Sequence, residues 1–293
     1  MKLLDGKETS KKIKANIAKE VAAMIDNDIK APHLAAVLVG DDPASKFYVK
    51  SKEKSCQAVG MTSSLYKLPA STTQEELLKT IDFINKDPEI DGFIVQLPLP
   101  KHIDVDTVIA AIDPAKDVDG FHPINIGRMV LGQETYLPAT PAGIMMLLEE
   151  YEIETSGKHV VVLGRSNIVG TPISIMLSRK SYPGNATVTV CHSRTENLSS
   201  ITQQADILIA AIGQPEFVTA DMVKKDAVIV DVGIHQKEDA TKEKGYRIVG
   251  DVDYKEVSKK ASYITPVPGG VGLMTIVALL QNTLKAAKKE VYA

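Results

Sequence analysis

Cysteine is scarce in this chain. Cys56 and Cys191 are the only two in 293 residues, too few for the disulfide framework of a small secreted domain. Met1 to Thr9 is polar and charged and lacks the apolar core of a secretion signal. No run approaches the roughly 20 apolar residues that a membrane helix needs. An excess of one charge is also missing: the formal net charge is -3, which gives no strong field toward nucleic acid or an anionic membrane. The six histidines show no metal-ligand spacing. Neither cysteine carries a nucleophile signature, and no Ser-His-Asp set can be assigned. These absences lead to the expectation of a cytoplasmic protein without a metal, a nucleic-acid partner or a membrane partner.

What is present is an ordinary globular composition, 44% hydrophobic and 24% charged. The chain is long for one core, so two domains are expected. Short runs rich in Val, Ile and Leu alternate with longer amphipathic segments. Leu34–Val39, Phe93–Leu97, Val160–Leu163, Thr187–Cys191, Ile207–Ala211 and Ala227–Val232 read as buried parallel strands. Asp42-Pro43 and Thr140-Pro141 read as N-cap and first helical residue. The fold class is therefore α/β, doubly wound. A boundary is expected near Tyr151–Lys158, separating residues 1–150 from a Rossmann-like domain at 151–272. A last helix, Leu273 to Lys289, follows a Pro/Gly loop and is expected to return to the first domain. Two connections of that kind suit a cleft for two ligands.

The segment Val160-Val-Val-Leu-Gly164-Arg165-Ser166-Asn167-Ile168-Val169-Gly170-Thr171-Pro172 predicts a strand, a tight turn and a helix start. It departs from the usual G-x-G-x-x-G fingerprint, yet the physics carries over. Gly164 permits the turn and Gly170 permits close approach. Free N–H groups at the helix start receive phosphate oxygens, and Arg165 adds a fixed positive charge. After the next strand the chain reads Cys191-His192-Ser193-Arg194-Thr195, with no carboxylate before Glu196. Hydroxyls and a cation suit a ribose 2′-phosphate, so NADP is preferred to NAD. A βαβ turn without a ligand is the competing reading.

Four further segments hold candidate chemistry. With a helix from Pro43, residues Ser45, Tyr48 and Lys52 share one face and form a plausible acid–base stripe at a strand's carboxyl end. Lys46, Lys50, Lys52 and Lys54 also read as a solvated basic face. Gln96 ends an apolar strand before the prolines of Leu97-Pro98-Leu99-Pro100, as a ligand contact or a loop anchor. Asp117-Val118-Asp119-Gly120 opens a polar loop whose carboxylate can accept two hydrogen bonds from a pterin-like ring, or simply turn the chain. Thr265-Pro266-Val267-Pro268-Gly269-Gly270-Val271-Gly272 places stiff backbone before permissive backbone, either to line a ligand or to link two elements.

In this order and over nearly the whole length, these segments resemble the bifunctional methylenetetrahydrofolate dehydrogenase/methenyltetrahydrofolate cyclohydrolase family (the FolD family). The carriers are Tyr48–Lys52, Val95–Pro100, Lys116–Gly120, Gly164–Gly170 and Thr265–Gly272. The resemblance implies a folate-binding catalytic domain and an NADP-binding domain. It implies NADP-linked oxidation of 5,10-methylenetetrahydrofolate and hydrolysis of the methenyl product to 10-formyltetrahydrofolate. That chemistry belongs to one-carbon metabolism serving purine, histidine and methionine biosynthesis. Lys52 would be the general acid/base, Gln96 would tune it, Tyr48 would order the site and Asp119 would grip the pterin. Ser45, Val95, Leu97 and the 267–271 stretch, with Val267, Pro268, Gly269, Gly270 and Val271, would complete the folate pocket. Gly164, Arg165, Ser166, Ser193 and Ile234 would contact the cofactor. A homodimer through the cofactor domains is also implied. Leu273 departs from the family's usual proline, which suggests a looser folate pocket. A dehydrogenase for another small substrate and a non-catalytic nucleotide-binding module are the alternatives. The joint presence of Lys52, Gln96 and Asp119 weighs against both.

Overall fold

The computed structural model describes residues 1–242 and 245–292. Contacts divide it into two compact units, Lys12–Ala139 with Ile276–Ala293, and Met1–Lys11 with Thr140–Thr275. The chain opens with β1 (Lys2–Leu3) and α1 (Gly6–Asp26).

The first unit holds three parallel strands, β2 (His33–Val39), β3 (Thr62–Leu68) and β4 (Gly92–Val95), in the order β3-β2-β4. Central β2 is an unbroken apolar run from Leu34 on, and those residues are all buried, as expected of a strand covered on both faces. Edge strand β3, Thr-Ser-Ser-Leu-Tyr-Lys-Leu, has no fully buried residue. Its polar sequence held no apolar run, so the sequence pattern did not foretell it. Between the strands lie α2 (Pro43–Ala58) and α3 (Gln74–Lys86), followed by α4 (Val105–Ala110) and α5 (Pro123–Leu131). Helix α3 starts with a reciprocal capping box between Thr73 and Glu76. It buries Leu77, Ile81 and Ile84 against Ala35, Val37 and Phe93, each large aliphatic contributing roughly 1.5–3 kcal/mol.

The second unit begins with α6 (Ala139–Glu150), then alternates β5 (His159–Leu163), α7 (Gly170–Ser178), β6 (Thr187–Cys191), α8 (Leu198–Thr202), β7 (Ile207–Ala210) and β8 (Val228–Asp231). An antiparallel hairpin, β9 (His235–Glu238) and β10 (Tyr246–Val249), leads to α9 (Tyr254–Val257), β11 (Tyr263–Ile264) and α10 (Val271–Ala287). Six strands form a wholly parallel sheet in the order β1-β11-β8-β7-β5-β6. The order reverses direction at β5, the switch point where doubly wound sheets bind ligands.

The division falls at Ala139/Thr140, ahead of the Tyr151–Lys158 turn expected from the sequence. Helix α6 is bound into the second unit: the Asp5 N–H donates to Tyr151 Oη at 2.9 Å, and a Cβ on Gly143 would meet the Met274 backbone at 2.7 Å. Thr140 is not the N-cap, because the helix already runs from Ala139; its hydroxyl instead pairs with that of Thr275 at 3.0 Å. The last helix starts at Val271, two residues before the expected Leu273. From Ile276 on it counts with the first unit. There Asn282 Nδ2 donates to the carbonyls of Val118 and Leu137 at 2.8 and 2.9 Å, so the expected return of this helix holds.

Asp117 organises the loop beyond β4. One carboxylate oxygen accepts from the His122 N–H at 2.7 Å and from Asn125 Nδ2 at 2.8 Å. Burial nevertheless pushes its pKa up from 3.8 to about 6. The folded state therefore holds this proton more tightly than the unfolded chain. The cost of charging it appears as pH rises from about 4 and is complete above about 6, at roughly 3 kcal/mol. Asp117→Asn keeps both acceptor bonds and removes the charge. Its melting temperature should match the parent below about pH 4 and exceed it by several degrees at pH 8. A constant difference across that range in thermal melts would contradict the assignment.

Candidate active site

Helix α2 starts where the sequence placed it. Asp42 is the N-cap, accepting from the Ser45 N–H at 2.7 Å, and Pro43 occupies the first turn. Ser45, Tyr48 and Lys52 consequently share a face. The fates of the three differ. Ser45 is buried, and its hydroxyl bonds the same Asp42 carboxylate that its N–H does, so it also serves the cap. Tyr48 is half-buried, edge-on to Phe47 with ring centroids 6.1 Å apart, and burial raises its pKa. Lys52 points its amine at the carboxyl end of β4, where Nζ donates to Gln96 Oε1 at 3.2 Å.

That amide cannot swing freely. Gln96 Nε2 donates to the Leu97 carbonyl at 2.6 Å, which fixes Oε1 toward the lysine. Burial lowers the Lys52 pKa, opposed first by the negative charge of Asp119. Burial raises the Asp119 pKa, opposed by Lys52. The two groups sense each other, yet among the described residues they form no ion pair within 4 Å and the Asp119 carboxylate has no protein hydrogen bond. An amine with unused hydrogens and a carboxylate with free lone pairs are thus left for a ligand. Val95 is buried and Leu97 half-buried beside them.

No sequence pattern flagged two neighbours of the lysine. Lys14 of α1 donates to Ser55 Oγ at 3.0 Å, and burial lowers its pKa. The Cys56 thiol is pushed up to about 12, by burial first, so it stays protonated and inert.

The second unit carries the nucleotide-type turn. Gly164 adopts φ 116°, and a Cβ there would lie 2.2 Å from the Ala211 carbonyl oxygen. A Cβ on Gly170 would lie 2.2 Å from the Gly164 carbonyl oxygen. Both positions therefore demand glycine. Ser166 Oγ accepts from the N–H groups of Val169 and Gly170 at 3.2 and 3.4 Å, shaping the entry to α7. At the carboxyl ends of β5, β6 and β7 lies a cavity of about 300 Å³. Gly164, Arg165, Ser166 and Ser193 line it together. Arg165 is exposed with its guanidinium unpaired among the described residues. Ile234 is 51% exposed and is not part of that lining. Ala211, Ile212, Gln214 and Phe217 are. The run Ile207–Ala211 ends on Ile212-Gly213-Gln214, a strand end before a glycine, which was the available signal. A second cavity of about 400 Å³ lies at the amino ends of the strands between Lys158, Asp206, Lys224 and Tyr263, the wrong edge for a doubly wound sheet's ligand.

The 265–272 loop also belongs to this unit. Pro268 is exposed, Gly269 takes φ 112°, and Val271 is buried. A Cβ on Gly270 would lie 2.6 Å from the Pro266 carbonyl, and the Gly270 carbonyl itself closes on Gly6. Leu273 donates its N–H to Gly270 O at 3.3 Å, a bond that a proline in its place could not make.

A parallel sheet with a glycine turn at its switch point, and a half-buried lysine–glutamine pair in the companion unit, are features of the dinucleotide-linked enzyme class. Residues 4–119 match the tetrahydrofolate dehydrogenase/cyclohydrolase catalytic domain, and residues 138–291 match the NAD(P)-binding domain of the same family. The chain belongs to the tetrahydrofolate dehydrogenase/cyclohydrolase family and is a bifunctional dehydrogenase and cyclohydrolase. It is 62% identical over 287 residues to the "Bifunctional protein FolD" of Cytophaga hutchinsonii, covering 98% of this chain and 99% of the relative. The protein of that name from Flavobacterium johnsoniae is 60% identical over 288 residues, covering 98% of each. Among solved structures, the bifunctional enzyme from Campylobacter jejuni is 50% identical with a TM-score of 0.92 and 99% coverage of both chains. The enzyme from Trypanosoma brucei, complexed with NADP cofactor and an inhibitor, is 38% identical with a TM-score of 0.92, covering 99% of this chain and 98% of its own.

Gly164→Ala tests the turn. The added Cβ strikes backbone at an unfavourable φ, so cofactor affinity should fall at least tenfold with several degrees of thermal destabilisation. Fluorescence titration of reduced cofactor reads the first effect and calorimetry the second. Retention of both parental values would refute the steric argument.

Proposed function

We propose that Lys52 is the general acid/base of the hydrolytic step, that Gln96 and Asp119 prepare it and hold the pterin, and that NADP is the oxidant. The observation that carries this is the half-buried Lys52 amine, bonded to a neutral amide and not to a carboxylate. An amine in that setting gives up and recovers a proton near neutrality more readily than a solvated one. Water attacks the bridging carbon of the methenyl cation, and Lys52 takes a proton from it. The C–N bond to one ring nitrogen then breaks, and Lys52 returns a proton to the departing nitrogen. One water is consumed, one proton is released and 10-formyltetrahydrofolate leaves.

The preceding oxidation of 5,10-methylenetetrahydrofolate needs orientation more than acid or base, since the product cation is stabilised by its own nitrogens. NADP, when bound, accepts the hydride. The chain's part is to hold the reactants: Asp119 accepts from the pterin ring, and Tyr48 orders it. Ser45, Val95, Leu97 and the 267–271 loop (Val267, Pro268, Gly269, Gly270, Val271) complete the folate contacts. The cofactor phosphates fall to the N–H groups around Gly164 and Ser166. Unpaired Arg165, with Ser193 nearby, supports a 2′-phosphate, and Ile234 supplies an apolar contact.

Assembly as a homodimer through the second unit is part of this reading. It is supported by β6, an unpaired edge strand of the six-stranded sheet whose Val190 is 39% exposed. A cytoplasmic setting is supported by two buried free cysteines, and no described helix is long and apolar enough to cross a membrane.

Lys52→Met should lower hydrolysis of the methenyl compound by roughly 10²–10⁴-fold and leave cofactor binding intact. Near-normal hydrolysis in a folded variant would overturn the role of Lys52. Arg165→Ala should raise KM for NADP by roughly 10–100-fold and change KM for NAD little. Equal losses for both cofactors would show that Arg165 does not read the 2′-phosphate.

A further inference from the structure

Behind the cofactor cavity sit two buried carboxylates that the chemistry above does not use. Asp231 ends β8 and is 3% exposed; Asp251 follows β10 and is fully buried. They form one node. Asp231 Oδ1 accepts from the N–H groups of Gly233 and Asp251 at 2.9 and 2.8 Å, and its Oδ2 accepts from Val252 N–H at 3.0 Å. Asp251 Oδ2 accepts from the N–H groups of Ile212 and Gly213 at 2.7 and 3.0 Å. Its Oδ1 lies 2.7 Å from His235 Nε2, which donates if the carboxylate is the acceptor. Space for the node is reserved by two glycines. A Cβ on Gly250 would sit 1.9 Å from Asp231 Oδ2, and one on Gly233 would sit 2.4 Å from Asp251 Oδ1.

Six donors from three loops thus converge on two side chains. The connections are specific. Ile212 lines the cofactor cavity, with Gly213 next to it and lining residue Gln214 beyond. His235 directly follows Ile234, the apolar residue assigned to the cofactor. Burying carboxylates costs free energy that an aliphatic core would not. Burial raises the Asp231 pKa to about 6, and Asp251 adds to the rise. Strand-end loops, however, expose N–H groups that have no ladder partner, and a carboxylate is the compact acceptor that fixes several at once.

We infer that Asp251, through its bonds to Ile212, Gly213 and His235, is a positioning residue for the dinucleotide: it sets the Ile212–Gln214 wall against the Ile234–His235 edge. The inference rests on the assignment of this cavity to NADP. Asp251 touches no ligand itself; it acts by holding the loops that do. The His235 bond is the part that can be cut alone, because the ring is partly exposed on a hairpin strand, whereas Asp251→Ala would orphan three donors and endanger folding.

The test uses full-length enzyme with His235→Leu, His235→Asn and His235→Gln. Leucine removes the bond, asparagine is polar but too short, and glutamine keeps a donor at comparable reach. KM for NADP in the dehydrogenase assay should rise about 3–10-fold for leucine and asparagine, exceeding the change in kcat, and glutamine should restore most of it. A purely structural bond would lower Tm and leave KM for NADP where it was. Unchanged KM in folded leucine and asparagine variants, or an equal rise with glutamine, overturns the positioning role. Parent enzyme that shows no saturable NADP binding by fluorescence overturns the cavity assignment, and the inference with it.

Discussion

An amine withdrawn from water loses hydration that one amide oxygen replaces only in part. Lys52 is held in that condition, with Nζ on Gln96 Oε1 and the Asp119 charge near enough to be felt but not to pair. A carboxylate in contact would lock the lysine as a permanent cation; bulk water would leave it as basic as any surface lysine. The intermediate setting depends on supports that look unrelated to chemistry. Asp42 caps α2 and so aims its face. The Gln96–Leu97 bond orients the amide. Asp117 shapes the loop that carries Asp119.

The same economy of polar groups governs the other unit. A parallel sheet ends in loops whose N–H groups have lost their ladder partners. At β5 the Gly164 N–H donates to the Cys191 carbonyl, and Ser166 Oγ takes the N–H groups of Val169 and Gly170 at the entry to α7. At β7, β8 and β10 the loop N–H groups are closed by Asp231 and Asp251. Glycine appears wherever the backbone must come closer than a Cβ allows, as at Gly164 against Ala211 and Gly250 against Asp231.

Much of this was legible in the residues. The strands β2, β4, β5, β7 and β8 lie within or beside the apolar runs, because strands buried on both faces need no polar alternation; β6 also lies in such a run, but as an edge strand it is not the buried strand expected and buries only Cys191. Asp42-Pro43 marked the start of α2 because cap and first turn are local chemistry. The stripe Ser45, Tyr48, Lys52 followed from helical geometry alone. Strand β3 escaped notice, since a polar edge strand earns its place from a neighbour's hydrogen bonds and not from its own composition. Thr140 misled because a cap-like pair also suits a helix that starts one residue earlier.

The sequence by itself determined the alternation of strands and helices, the glycine turn and the lysine's helical face, all of which are written in short-range spacing. Only the tertiary structure decided that Gln96 faces Lys52 from 44 positions away in the chain, that the unit boundary lies at Thr140, and that Asp251 reaches back 39 positions to Ile212. Burial and long-range hydrogen bonds set those outcomes. They depend on which segments the packed core brings side by side, and local pattern carries no record of that.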